Sequence, residues 1–159
     1  MTRFMIYQNK TIFKLILLAL SSLFLSACGQ QPDSEQVYQW PMIENCDLHQ
    51  QACTSQMGES LVTLNIRPHP IPIARPLGIE VTLKSLVAKK VELDISGANM
   101  YMGYNRVLLT PTKQAGRYVG TSMLAFCTTA KMQWKITLMI HQQDGTQIHI
   151  PYLLETKNR

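Results

Sequence analysis

The sequence predicts an all-β domain, an antiparallel β-sandwich of about six or seven short strands behind a flexible N-terminal tether. Three observations predict it. Beyond residue 40, apolar residues recur with a period of two, no stretch carries a helical stripe, and Gly, Pro and Asp-Gly interrupt the alternating runs at short spacing.

Taken in order, Val62, Leu64 and Ile66 alternate with Thr63, Asn65 and Arg67, so one face of that run enters a core and the other meets water. Leu77, Ile79, Val81 and Leu83 repeat the pattern, as do Val91, Leu93 and Ile95, and then Met132, Trp134, Ile136, Leu138 and Ile140. Between Arg67 and Leu77 stand prolines 68, 70, 72 and 76. Proline has no N–H to donate, so this segment is expected to cross between sheets or to lie on an edge. Strands of this length with turns at this spacing indicate a sandwich of immunoglobulin-like type.

The last two strands allow a register to be derived. Ile148, Ile150, Tyr152 and Leu154 follow the Asp144-Gly145 turn and must share a face with Trp134, Ile136, Leu138 and Ile140. A two-residue loop would set Ile140 against His149, an inward residue against an outward one. A three-residue loop, Gln143-Asp144-Gly145 with Gly145 left-handed, instead pairs 140 with 148, 138 with 150 and 136 with 152. Met139 then faces His149 and His141 faces Gln147, which leaves no histidine pair on the outer face.

The start of the chain has a different character. Arg3, Lys10 and Lys14 precede an uncharged run from Leu15 to Leu25, the order of a secretory signal. Thirteen residues separate Lys14 from Cys28, fewer than the roughly 20 a spanning helix needs. The run ends in Leu25-Ser26-Ala27-Cys28, which resembles the lipobox of bacterial lipoproteins. The resemblance implies a signal peptide over 1–27, cleavage before Cys28, lipid (labelled by palmitate) on the Cys28 thiol, and a membrane reached through that lipid. Gly29 in place of an aspartate implies an outer-membrane address facing the periplasm. Residues 28–39, rich in Gln, Pro, Asp, Ser and Glu, read as a flexible tether, and 40–159 as a single domain with a cysteine loop at its start.

Without the leader the charge argument changes. The chain has 15 basic and 10 acidic residues. Three of the basic and none of the acidic ones lie in 1–27, leaving 12 − 10 = +2. A nearly neutral exported domain with no basic stripe is not a nucleic-acid binder. Catalytic motifs such as Gly-x-Ser-x-Gly, a phosphate loop or His-Glu-x-x-His do not occur, and the chain is read as a non-enzyme.

Cysteines sharpen the expectation of an oxidising compartment. Cys46 and Cys53 are separated by six residues and are the favoured disulfide, with a bridge from either to Cys127 left open. His49 within that loop and His69 in the proline segment are expected to be solvated loop residues.

The stretch from Ser96 carries the richest chemistry. Met100 and Met102 are two apart and would face the same way on a strand. Cys127 and Met132 flank Thr128-Thr129-Ala130-Lys131 and would converge on them from a neighbouring strand. Thioether and thiolate sulfur suit Cu(I) better than harder ions, although methionine is also a common core filler. The order Met-x-Met-Gly at 100–103, Gly-x-Tyr-x-Gly at 116–120 and a late strand tryptophan, Trp134, resembles the YtkA-like and FixH-like exported β-sandwich domains over about Leu77 to Ile140. That resemblance implies copper handling in respiratory-oxidase assembly, with Met100, Met102 and Met132 as candidate ligands and an oxidase-assembly protein as partner. Cys127 and the lack of a histidine beside the two methionines depart from it. The competing expectation is a disulfide-stapled envelope interaction module with no metal.

Overall fold

The computed structural model describes residues 36–103 and 105–157; the signal segment, Cys28 and most of the tether lie outside them. Every regular element among the described residues is a strand. They are β1 (Val37–Gln39), β2 (Cys53–Met57), β3 (Ser60–Arg67), β4 (Pro76–Lys84), β5 (Lys90–Gly97), β6 (Arg106–Pro111), β7 (Arg117–Met123), β8 (Lys131–His141) and β9 (Gln147–Lys157). Nine strands replace the six or seven expected. The period-two signal misses short strands such as β1 and β2, whose exposed residues show little apolar alternation.

All nine join one curled sheet in the order β1-β9-β8-β5-β6-β7-β4-β3-β2. The two halves are continuous because β6 changes partners along its length. Residues 106–109 pair with β5, and Thr110 and Pro111 pair with β7. Only β1 runs parallel to its neighbour, β9; the other pairs are antiparallel. Residues 37–39, assigned by composition to the tether, are therefore part of the sheet.

The apolar alternation explains where the core sits. Inward residues of β3, β4 and β7's neighbours meet those of β5, β8 and β9 in a single cluster that includes Leu64, Val81, Leu93, Trp134, Leu138 and Ile150. Each such side chain contributes roughly 1.5–3 kcal/mol by leaving water. Trp134 satisfies its indole N–H by donating to Thr156 Oγ1 at 2.9 Å within that core.

Between the β1 and β2 edges runs segment 40–52, which buries Trp40 and Leu48 against the same cluster. Its path accounts for a proline inside a paired strand. His149 and Pro151 turn their carbonyls toward this segment and accept from the N–H groups of Trp40 (2.9 Å) and Ile43 (3.1 Å). The nitrogen of Pro151 faces the same side, beyond the point where β1 ends, so no ladder bond is lost there.

The hairpin register agrees with the derivation. Ile140 faces Ile148, Leu138 faces Ile150, Ile136 faces Tyr152, Met139 faces His149 and His141 faces Gln147. Gln142 N–H donates to the Thr146 carbonyl at 2.8 Å, and Gly145 has φ +87°, as the three-residue loop requires. The proline segment behaves otherwise than expected. It joins the adjacent antiparallel strands β3 and β4 as a long hairpin loop and does not cross between sheets. Pro76 opens β4, a strand paired on both sides, at the first position, where a missing N–H is tolerated.

Candidate metal centre

The strands bring four connections to one end of the sheet: the cysteine loop 46–53, the proline loop 68–75, the β5–β6 loop 98–105 and the β7–β8 loop 124–130. All four sulfur residues singled out by sequence stand in or directly beside the last two loops, Met100 and Met102 in the β5–β6 loop, Cys127 in the β7–β8 loop and Met132 at the start of β8.

Met100 and Met102 are not on a strand. Residues 98–103 form a loop that folds back over the end of β5. Gly97 permits this: a Cβ there would collide with the Met100 carbonyl oxygen and come within 2.6 Å of the Met132 methyl. Asn99 then fixes the loop by imitating a strand. Its side chain donates to the Lys131 carbonyl at 3.3 Å and accepts from Gln133 N–H at 3.1 Å, extending the ladder beside β8. Ala98 N–H adds a bond to the Gln133 carbonyl at 2.8 Å.

This path delivers the Met100 thioether to Cys127. Their sulfurs lie 3.7 Å apart, and Thr129 Oγ1 stands 3.3 Å from Cys127 Sγ and 4.0 Å from Met100 Sδ. Met100 is 45% exposed and Cys127 only 6%, so the pair sits at the surface with the thiol beneath the thioether. The Thr129 hydroxyl, then the Thr129 and Thr128 N–H groups, hold the Cys127 thiol below its ordinary range. Burial opposes ionisation but counts for less than the bonds from Thr129. A thiolate so stabilised is the form that ligates metal.

Met132 is 1% exposed and packs beneath, against Gly97. Met102 takes a separate position, lining a groove with Pro76, Val107, Ser122 and Met123. The expected four-sulfur convergence is therefore reduced to a pair, Cys127 and Met100, over a buried Met132. Sequence reasoning missed Asn99, Gly97 and Thr129; the Gly-Ala-Asn run before Met100 and the Thr-Thr run after Cys127 are the signals that mark them.

The donor set fits a soft monovalent ion. The observed 3.7 Å separation is that of a hydrogen bond from the Cys127 thiol to the Met100 thioether, and both sulfurs are soft donors. Among the described residues no group of three His, Cys, Asp or Glu side chains stands in metal-binding arrangement, so a harder or borderline ion finds no preformed cage.

The other cysteines are joined as Cys46–Cys53, with Cys127 outside the bridge. His49, expected in solvent, is half-buried and bonded at both ring nitrogens. Nδ1 accepts from Ile71 N–H at 3.1 Å, which leaves Nε2–H to donate to the Glu155 carbonyl at 2.7 Å. His69 is exposed beside Asn65. His141 bonds Glu92 at 2.8 Å on the outer face. No family model, curated protein or solved structure matches this chain.

Proposed function

We propose that the chain is an envelope lipoprotein, anchored through Cys28, that binds one Cu(I) at Cys127 and Met100. The observation that carries this reading is the 3.7 Å approach of a thioether to a thiol whose ionised form is stabilised by its own turn. When bound, a soft ion gains two sulfur ligands at the surface, open on the Met100 side for transfer to an acceptor. Thr129 holds the thiolate, Asn99 holds the loop that carries Met100, and Met132 supplies an apolar floor that excludes water. Delivery to a respiratory oxidase rests on the family resemblance alone. The same reading takes the curled sheet as an immunoglobulin-like sandwich with its leaves joined through β6, supported by the single core between its halves.

The test is a Cu(I) titration against a competing chelator. Ascorbate as the copper reductant keeps the Cys46–Cys53 disulfide closed. One equivalent is expected. Cys127→Ser should abolish binding, Met100→Leu should weaken it about tenfold, or ~1.4 kcal/mol, and Met102→Leu should leave it unchanged. Equal effects of the two methionine variants, or full binding by Cys127→Ser, would contradict the assignment. The anchor is tested separately: Cys28→Ser should lose palmitate labelling and remain uncleaved.

A second reading, an interaction module without metal, is favoured by the exposure of Tyr101 (85%) and Phe126 (67%) at the same end of the molecule. It predicts no stoichiometric copper.

A further inference from the structure

The loop end holds a second feature, built from residues other than the sulfur pair. The proline loop and the end of β9 enclose a groove of about 850 Å³, with Phe126 on its rim. Pro70, Pro72 and Ile73 make one wall apolar. Thr156 lies in its lining, and that hydroxyl is already engaged by the Trp134 indole. Arg75 and Lys157 bring two cations to the groove. The single carboxylate among its lining residues, Glu155, is held by Lys131 at 2.7 Å, and that contact keeps it below the usual carboxylate range. Neither Arg75 nor Lys157 belongs to an ion pair among the described residues. Lys157 also acts on the Glu155 carboxylate, and with Lys131 and Arg75 the groove carries an excess of positive over negative charge beside an apolar wall.

Its frame is held in place before any ligand arrives. His49 ties the proline loop to β9 through its two ring nitrogens, and the Cys46–Cys53 bridge closes the loop from which His49 projects. Ala74 N–H donates to the Leu124 carbonyl at 2.9 Å, tying the same proline loop to the segment that carries Phe126. A preorganised groove loses little entropy when it is filled. Proline at 70 and 72 leaves that wall without N–H donors at two positions, so recognition falls to side chains.

We propose that this groove binds an acidic, apolar peptide segment of a partner protein. Ile73 and Phe126 receive its apolar side chains, and Arg75 and Lys157 receive its carboxylates. Charge complementarity selects this occupant. An acyl chain shares the apolar and carboxylate chemistry but brings one terminal carboxylate, whereas two cations, Arg75 and Lys157, line this groove. The docking residues are distinct from Cys127 and Met100, so copper binding and docking can fail independently.

The experiment is selection of random nonapeptides displayed on phage, on the purified protein and on its Arg75→Glu, Lys157→Glu variant. Wild-type protein should enrich peptides that combine Asp or Glu with Phe, Leu or Ile. The charge-reversed variant should lose those and enrich Lys or Arg. A selected peptide should shift the NMR signals of Ile73 and Phe126, bind about tenfold more weakly to Phe126→Ala, and bind Cys127→Ser as tightly as wild type. Retained near-UV circular dichroism shows that the variants are folded. The proposal is overturned by no enrichment, by the same peptides on both proteins, by shifts confined to another surface, or by dodecanoate shifting these residues where no peptide does.

Discussion

The β8–β9 hairpin and the loop end are built from the same kinds of residue, yet they obey different rules. In the hairpin, position along the strand decides everything: a side chain's parity assigns its face, and a one-residue slip would turn Ile140 and Ile148 outward. At the loop end parity decides nothing. Met100 and Met102 share a parity, but one meets Cys127 and the other lines a groove beside Met123. The difference is the source of the constraint. Strand residues are placed by the ladder and the core, whereas loop residues are placed by single devices, a glycine that admits a close approach and an asparagine that imitates a backbone.

The comparison is sharpened most by Leu138→Ala. Leu138 is fully buried between Leu93 and Ile150. Its truncation should cost about 2–5 kcal/mol in urea unfolding, and copper binding by the folded fraction should not change. Gly97→Ala should do the opposite. Overpacking against the Met100 carbonyl should cost about 1–3 kcal/mol and displace loop 98–103, so copper affinity should fall more than stability does. If Gly97→Ala binds copper normally, the loop device is not what positions Met100.

These two substitutions also mark what the sequence made legible. The all-β class, the disulfide pair and the full register of the last hairpin followed from period-two patterning, cysteine spacing and the chemistry of the Asp144-Gly145 turn. The short strands β1 and β2 did not, because an edge strand needs few buried residues to pair. The long β3–β4 loop was misjudged for a related reason. Prolines forbid ladder bonds but do not say whether the chain then crosses the core or merely turns back. At the candidate centre, residue types were legible and geometry was not. Sulfur donors announce a chemistry, but which of them meet depends on a glycine-dependent close approach that no periodicity encodes.

Smaller effects test the hairpin side. Gly145 holds φ +87° at the G1 position, so Gly145→Ala should cost about 1 kcal/mol and lower the unfolding midpoint without altering copper affinity. An unchanged midpoint would mean that the turn does not set the register.

The smallest effect is a pH dependence on the outer face of the same hairpin. Burial, followed by the positive charges of His141, Arg106 and Lys135, holds the His149 imidazole below its ordinary value of 6.5. A base whose folded value is depressed is protonated first in the unfolded chain. Its contribution to stability is therefore complete above pH ~6.5 and is lost as the pH falls through the lower folded value. Glu92 acts in the same direction at lower pH. Burial opposes its ionisation, but the hydrogen bonds and charges of Lys90 and His141 outweigh that and hold it below 4.5. Its contribution is present above that value and lost as the pH falls through the folded one. His149→Gln should flatten the unfolding midpoint between pH 7 and 5 while leaving the steeper loss at lower pH. An unchanged profile would remove His149 from the account.

The central claim, that a loop-held sulfur pair takes a soft ion, is tested most directly by X-ray absorption at the copper edge of the protein loaded with one equivalent of Cu(I). The account predicts a Cu(I) edge with sulfur scatterers at about 2.3 Å, reduced by one in Met100→Leu and absent in Cys127→Ser. A first shell of nitrogen and oxygen alone, or sulfur scattering that survives Cys127→Ser, would contradict it.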